Sequence, residues 1–302
     1  MNKYLISIVG ATAIGKTSLS IALAKHFNTE IVSSDSRQFY KEMYIGTAVP
    51  NPEELKAAPH HFIQNRSIFE DYSVGQYEKD ALATLELLFK KNHIIILVGG
   101  SGLYTNAIIN GLDEFPKVDI EIRNKLNKEI QLGNIQKLQD QLKELDIESY
   151  NTIEIDNPHR LVRALEICIG TGKTYSSFKN KPKIKRNFTP IKIGLSSDRE
   201  IMYDRINRRV DIMIEKGLLD EARKLHEHKN LNALQTVGYR ELFEHFDGNC
   251  SLDFAISEIK KNTRRFAKRQ VTWNKKDEEI IWFDFKTDVS EIIRKIESII
   301  EL

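Results

Sequence analysis

The sequence predicts an α/β protein: a P-loop doubly wound parallel sheet with a helical insertion domain. Three observations carry that expectation. Residues 10–17 read Gly-Ala-Thr-Ala-Ile-Gly-Lys-Thr, a complete G-x-x-x-x-G-K-[ST] phosphate loop. Short β-branched or aliphatic runs alternate with helix-length segments near both ends of the chain, the pattern of parallel strands joined by crossover helices. Between Gly111 and about Pro190 those runs disappear, and charge-rich helical segments replace them.

Taken in order, residues 4–9 form the first strand, and the segment from Ser18 to Lys25 has helical periodicity. The loop between them therefore sits at a strand-to-helix junction, where loop amides and a helix N-terminus converge on an anion. Gly10, Ala11, Thr12, Ala13, Ile14, Gly15, Lys16 and Thr17 are the expected diphosphate- or nucleotide-binding residues. Lys16 adds a point charge and Thr17 a hydroxyl for Mg²⁺. Further strands are expected at 30–34, 93–98, 190–195 and 280–285. Ser73 with Gln76 reads as a capping box opening a helix over 76–91. Gly99-Gly100-Ser101-Gly102 after the third strand is a turn that lets backbone approach a ligand closely. Helices follow at about 119–132, 134–146 and 158–169; Asn157-Pro158 opens the last and Gly170 is placed to end it. A lysine-rich stretch, 179–186, leads back to a strand, and helices are expected over 199–216 and from Ser251 to about Lys276. The domains are then 1–112 with 188–302, the core with its C-terminal helices, and 113–187, the insertion.

Composition bounds the possibilities. A chain of 302 residues with 41% hydrophobic content can build one large domain or two modest ones. Mean hydropathy is −0.40, and no apolar run approaches the ~20 residues of a membrane span. The N-terminus opens on a core strand without a cleavable apolar leader. Two cysteines, Cys168 and Cys250, make neither a zinc site nor a disulfide framework, and both are expected to be buried thiols of a cytoplasmic protein. With a net charge of only +2, any nucleic-acid surface has to come from local clustering.

The second strand runs into Ser33-Ser34-Asp35-Ser36-Arg37-Gln38. Ligands of open parallel sheets bind beyond the carboxyl ends of strands, so Asp35 should face the same crevice as the phosphate loop. A carboxylate there can act as a general base, as a Mg²⁺ ligand through water or as a substrate clamp; the plainer reading is a helix N-cap. The strand 93–98 ends in glycines where a P-loop NTPase carries a Mg²⁺-organising acid, so ATP hydrolysis is poorly supported. The loop would then hold a diphosphate that leaves. Arg205, Arg208 and Arg209 lie on one predicted helix; Arg205 and Arg209 share a face at i,i+4, and one of these two could close over a diphosphate bidentately, though a solvated basic face is as good a reading. Lys260, Lys261, Arg264, Arg265, Lys268 and Arg269 recur along another helix with Phe266 and Trp273 interleaved, and no acid falls among these ten positions. That stripe suits a nucleic-acid backbone. His60, His61, His93, His226 and His228 lack metal-ligand company and are given no catalytic role.

Several segments together resemble the bacterial tRNA dimethylallyltransferase family, the IPP transferases. They are Gly10–Thr17, Asp35–Gln38, Leu97–Tyr104, Asn157–Glu166, Thr236–Arg240 and Lys268–Trp273, in family order over nearly the whole chain. The resemblance implies transfer of a dimethylallyl group from its diphosphate to the exocyclic amine of the adenosine 3′ of the anticodon. Carried over by motif, Asp35 is the general base. Lys16, Thr17 and the loop amides hold the diphosphate with Mg²⁺, and Arg209 neutralises its leaving charge. The implied tRNA contacts are Asp35, Ser36, Arg37, Gln38, Ser101, Arg123, His159, Arg160, Leu161, Val162, Arg163, Thr236, Val237, Gly238, Tyr239, Arg240, Glu241, Lys268, Arg269 and Gln270. The implied partners are tRNA and dimethylallyl diphosphate, without a membrane, for a monomer. Ala11 and Ile14 stand where the family commonly has Pro and Ser, and Ser101 where Thr is commoner; none of these changes removes a backbone phosphate contact.

Three other readings compete. A small-molecule P-loop kinase would use Asp35 to orient a hydroxyl and ATP as donor, but lacks support from the strand-end glycines, the insertion and the basic stripe. An adenylate-type isopentenyltransferase would take a free nucleotide. A non-enzymatic RNA-binding NTPase switch leaves Asp35 unexplained.

Overall fold

The protein is described by a computed structural model, in which residues 2–179 and 185–300 are described. The chain divides into two compact units, Met1–Asn110 with Lys185–Leu302, and Gly111–Ile184. Of the lysine-rich stretch 179–186, residues 180–184 lie outside the described residues.

The first unit is built on six parallel strands: β1 (Tyr4–Gly10), β2 (Ile31–Ser33), β3 (His60–His61), β4 (Ile94–Val98), β5 (Thr189–Ser196) and β6 (Ile281–Asp284), in the order β3-β2-β4-β1-β5-β6. β3 was not legible in the sequence, because two histidines carry no hydrophobic period. In chain order the helices are α1 (Lys16–His26), α2 (Pro52–Ala57), α3 (Val74–Leu88), α4 (Gly102–Asn110), α5 (Ile120–Gln131), α6 (Ile135–Leu145), α7 (Ile147–Thr152) and α8 (Pro158–Thr171). They continue with α9 (Arg199–Glu215), α10 (Leu218–Leu225), α11 (Tyr239–Phe246), α12 (Leu252–Asn274) and α13 (Val289–Ile300).

Strand alternation divides the core between the two faces of the sheet. Ile6, Ile8, Ile94, Ile96, Ile191 and Ile193 pack with Leu19 and Leu23 of α1 and Ile292 and Ile296 of α13. Their neighbours Leu5, Val32, Ile95 and Leu97 pack with Tyr77, Ala81 and Leu85 of α3 and Ile108 of α4. Central strands buried on both faces explain the continuous aliphatic runs in the sequence. Ser73 caps α3 as expected, its hydroxyl accepting from the Gln76 amide at 3.2 Å. Gln76 itself reaches Asp80 at 2.8 Å instead of returning to the cap. A third apolar cluster joins α9 to α12 through Val210, Leu218, Leu242 and Ile259.

The second unit contains α5 to α8 around Leu126, Leu138, Leu142, Leu161 and Leu165. Asn157 caps α8 with Pro158 at its first position. The helix does not stop at Gly170. It runs on to Thr171 and is ended by Gly172, whose φ of 68° is the left-handed conformation that closes a helix. The short α7, capped by the buried Asp146, was also not foreseen. Cys168 is buried but Cys250 only half so, and neither forms a disulfide. Among the described residues no helix is long and apolar enough to cross a membrane.

Candidate active site

The carboxyl ends of β1, β2 and β4 present the predicted motifs side by side. β1 and β4 are hydrogen-bonded neighbours, as are β4 and β2. The phosphate loop leaves β1 at Gly10, where φ is 142° and an added Cβ would lie 2.7 Å from the Leu195 carbonyl oxygen. Only glycine fits so close to β5. Ala13 adopts φ 63°, a conformation that strains an alanine by about 1–2 kcal/mol. Its carbonyl accepts from Arg205 Nε at 2.9 Å, which ties that turn of the loop to α9.

Lys16 folds onto its own loop, donating to the Gly10 carbonyl at 3.1 Å and the Ala11 carbonyl at 2.7 Å. Burial, helped by the neighbouring Arg209 cation and opposed by Asp35, pushes its pKa down to about 8. An incoming anion beside it would favour the charged form of the lysine. Arg209 is the second cation of the site. Burial holds its pKa below the ordinary guanidinium value, with Asp35 and Glu54 opposing that shift and Arg205 adding to it. Among the described residues it makes no hydrogen bond or ion pair. Its helical neighbours are engaged, Arg205 with Ala13 and Arg208 with Asp204 at 2.9 Å. Tertiary contacts thus favour Arg209 over Arg205, the other arginine on its helix face.

Asp35 follows β2 in a turn, not at a helix N-terminus. Its Oδ1 accepts from the Arg37 amide at 3.0 Å, and its own amide donates to Ser33 Oγ at 3.3 Å. Ser101 Oγ donates to Ser36 Oγ at 2.9 Å and accepts from the Ser36 amide at 3.0 Å, joining the β4 turn to the β2 turn. Arg37 donates to the carbonyls of Asn232 and Ala233 at 2.9 and 3.0 Å, and Gln38 to that of Ala48 at 3.0 Å.

Two cavities meet on these residues. The first, about 570 Å³, is lined by residues 12–18 of the loop and helix start, Asp35, Glu54, Arg209 and apolar Ile45, Val49, Ile212 and Met213. The second, about 340 Å³, is lined by Ser36, Arg37, Ser101, Thr236, Val237, Gly238, Arg240, Phe266 and Arg269. Thr12, Asp35, Thr47, Ala48, Arg209 and Met213 border both.

Other expected contacts are turned inward. Tyr239 is fully buried, donating to Glu221 Oε1 at 2.7 Å, and burial with that carboxylate beside it holds its hydroxyl far above the usual phenol range. Glu241 accepts from the Gly238 amide and from Asn262, both at 2.8 Å. Leu161 and Val162 lie in the core of the second unit, while His159 and Arg160 are exposed. There, Glu166 is buried between Arg123 and Arg163, and Arg163 lies over the Phe115 ring at 5.0 Å. Gln270 is also buried.

The basic stripe of α12 is shorter than its sequence. Lys260 pairs with Asp211 of α9 at 2.6 Å, Lys261 pairs with Glu258 one turn back, and Arg264 donates to Asn207 at 2.7 Å. Asp211 lies on an adjacent helix and is brought up only by the fold, whereas Glu258, two residues before the run of ten, was legible in the sequence as an i,i+3 partner of Lys261. Lys268 and Arg269 remain exposed.

Sequence reasoning passed over Glu221, whose carboxylate accepts from the amides of Tyr44, Ile45 and Gly46 at 3.0, 2.7 and 2.9 Å. No spacing rule links it to that loop. It also gave no role to His60, which lines the first cavity with Nδ1 bonded to the Ala58 carbonyl at 2.8 Å. Burial lowers the His60 pKa.

A phosphate loop, two cations and a carboxylate on a parallel sheet, with glycines where β4 would carry a hydrolytic acid, define the class as a P-loop group-transfer enzyme. The chain belongs to the IPP transferase family, whose model matches residues 38–277. A Flavobacterium psychrophilum protein named tRNA dimethylallyltransferase is 62% identical over 299 residues, 97% of either chain. The tRNA dimethylallyltransferase 1 of Bacteroides fragilis is 49% identical over 93% of each. The crystal structure of a Bacillus halodurans tRNA isopentenylpyrophosphate transferase superposes with a TM-score of 0.73 at 37% identity, covering 99% of this chain and 96% of that one. A eukaryotic dimethylallyltransferase captured acting on tRNA gives 0.79 at 29% identity, over 96% of this chain and 75% of the other.

Proposed function

We propose that this protein transfers the dimethylallyl group of dimethylallyl diphosphate to the exocyclic amine of the adenosine 3′-adjacent to the anticodon in tRNA. The products are isopentenyladenosine and diphosphate. The observation that carries this reading is the pair of cavities sharing Asp35, Arg209 and Thr12: one is lined by the phosphate loop, the other by residues of the RNA-type motifs. A donor and an acceptor entering from opposite sides would meet at Asp35.

In this reading the diphosphate lies on the loop amides. Lys16 turns from its own carbonyls to the phosphate oxygens, and Arg209, with no other partner among the described residues, pairs bidentately with them. The C–O bond to the allylic carbon breaks, and the electron pair leaves on the diphosphate. Preorganised positive charge stabilises that departure, the larger part of such catalysis. The adenine amine forms the new C–N bond and gives its proton to Asp35, whose turn with Arg37 fixes the carboxylate. The adenosine has to leave its stack to reach the second cavity.

The donor set suits Mg²⁺ only as a diphosphate companion. Among the described residues no cluster of three or more acids, histidines or cysteines could hold a metal. The Thr17 hydroxyl would hold it together with the diphosphate's own oxygens, the usual arrangement for this ion, and it would supply charge neutralisation. Ser36, Arg37, Gln38, Ser101, Thr236, Val237, Gly238, Arg240, Lys268 and Arg269 would receive the RNA on the first unit, and Arg123, His159, Arg160 and Arg163 on the second. The buried Leu161, Val162, Tyr239, Glu241 and Gln270 would shape those segments from within. Such a substrate implies a cytoplasmic enzyme, and we expect a monomer.

The test uses purified protein, labelled dimethylallyl diphosphate and unmodified tRNA, with AMP and ATP arms in parallel. Label entering tRNA supports the reading; label in AMP, or phosphoryl transfer from ATP, refutes it. Asp35→Asn preserves the turn but removes the base, and should cost about 10²–10⁴ in turnover with tRNA binding retained.

A further inference from the structure

We propose that Gln270 is a positioning residue that sets the gap between the diphosphate loop and the base-bearing turn, and does not itself contact RNA. The proposal rests on the donor and acceptor sides assigned above. Gln270 lies near the end of α12 and is 7% exposed. Its Oε1 accepts from the Thr12 amide at 2.8 Å, and its Nε2 donates to the Gly100 carbonyl at 2.8 Å. An amide donor at one end and a carbonyl acceptor at the other leave only one orientation for the side-chain amide. One side chain thus spans from the loop after β1 to the turn after β4.

Gly100 is where this span matters. An added Cβ there would lie 2.7 Å from Gln270 Nε2 and 3.4 Å from Asp35 Oδ2, so the turn is closed on by both groups at once. Ser101, the next residue, carries the hydroxyl pair with Ser36. Around Gln270, α12 is anchored: Ala267 packs with Ala11, Met202 and Ile206, and Val271 packs against that cluster. The brace therefore ties the phosphate loop, the Asp35 turn and the helix bearing Lys268 and Arg269 into one frame.

The chemistry of the side chain is specific. Glutamate keeps the acceptor but cannot donate to Gly100, and methionine keeps the length but makes neither bond. The experiment measures inorganic diphosphate affinity by calorimetry without RNA, tRNA affinity by filter binding, and KM for each substrate with kcat, in wild type, Gln270→Met and Gln270→Glu. Thermal midpoints select the variant that keeps wild-type folding. We expect diphosphate affinity and kcat to fall about tenfold, the effect of two lost neutral hydrogen bonds, with tRNA affinity and its salt dependence within twofold of wild type. Loss of tRNA affinity, alone or together with diphosphate affinity, overturns the assignment, as does no change in either. Failure of the wild-type protein to prenylate tRNA would refute the functional reading separately, because the diphosphate arm needs no RNA.

Discussion

Replacing Glu221 by glutamine should loosen the loop at residues 44–48 and thereby both cavities. One carboxylate oxygen of Glu221 accepts from the Tyr44 and Ile45 amides, the other from the Gly46 amide and the Tyr239 hydroxyl. Glutamine converts one oxygen into an NH₂ group, which faces two donors without accepting from either. Each buried polar group left unsatisfied costs about 1–3 kcal/mol. Glu221 is half-buried, so water would recover part of that, leaving a loss of roughly 2–4 kcal/mol. In a unit of this size, at about 2–4 °C per kcal/mol, the thermal midpoint should fall by roughly 4–16 °C. Thr47 and Ala48, just beyond the clamped amides, border both cavities, so KM should rise for donor and acceptor together. Scanning calorimetry and steady-state kinetics on the full chain measure both effects. A midpoint within about 1 °C of wild type, with unchanged kinetics, would refute the clamp.

Lys16 predicts a pH dependence. Its pKa is lowered to about 8 by burial and Arg209, so the free loop loses its ammonium charge as pH rises through that value. Diphosphate affinity should be full below pH 8 and fall toward tenfold per pH unit above it, with proton uptake on binding near pH 8–9; Lys16→Met should abolish both in calorimetry. The unfolded chain keeps this proton up to the ordinary value of 10.5, so the ligand-free fold should gain stability between pH 8 and 10.5. Arg209→Met should lose about 10²–10³ in kcat, as for removal of one charge-stabilising donor, yet raise the midpoint, because it removes a partly desolvated cation that has no partner among the described residues; a lowered midpoint would contradict that account. Lys268→Ala with Arg269→Ala should weaken tRNA binding and reduce the salt slope by about 1–2, whereas Lys260→Ala should leave the slope unchanged because Lys260 is held by Asp211. Equal slopes for the two variants would make the whole stripe a solvated face and refute its role in RNA binding.

Wherever one local pattern carried the information, the sequence was enough. The strand-loop-helix order around Gly10–Thr17, the buried aliphatic strands, the Ser73 and Asn157 caps and the absence of an acid after Val98 are all written within a few residues. Spacing along the chain determines them, because backbone hydrogen bonding and helix period are local. The sequence also brought Asp35 to the loop's crevice, since a parallel sheet aligns its strand ends.

What depends on packing between distant segments was settled only by the tertiary structure. Arg205 and Arg209 share one helix face in the sequence; among the described residues Arg209 is the one left without a partner, because Ala13 takes Arg205 and Asp204 takes Arg208. Lys260 and Arg264 read as an unpaired run until α9 brings up Asp211 and Asn207. Gln270 and Tyr239 sit in motifs that resemble RNA contacts, yet each is buried and spends its polar atoms on the protein. A side chain's charge is legible in sequence, but its partner is chosen by three-dimensional proximity, and burial then makes that choice binding because an unpaired polar group is costly. The phosphate loop was therefore determined by the chain alone, and the frame that holds it against Asp35 by the fold.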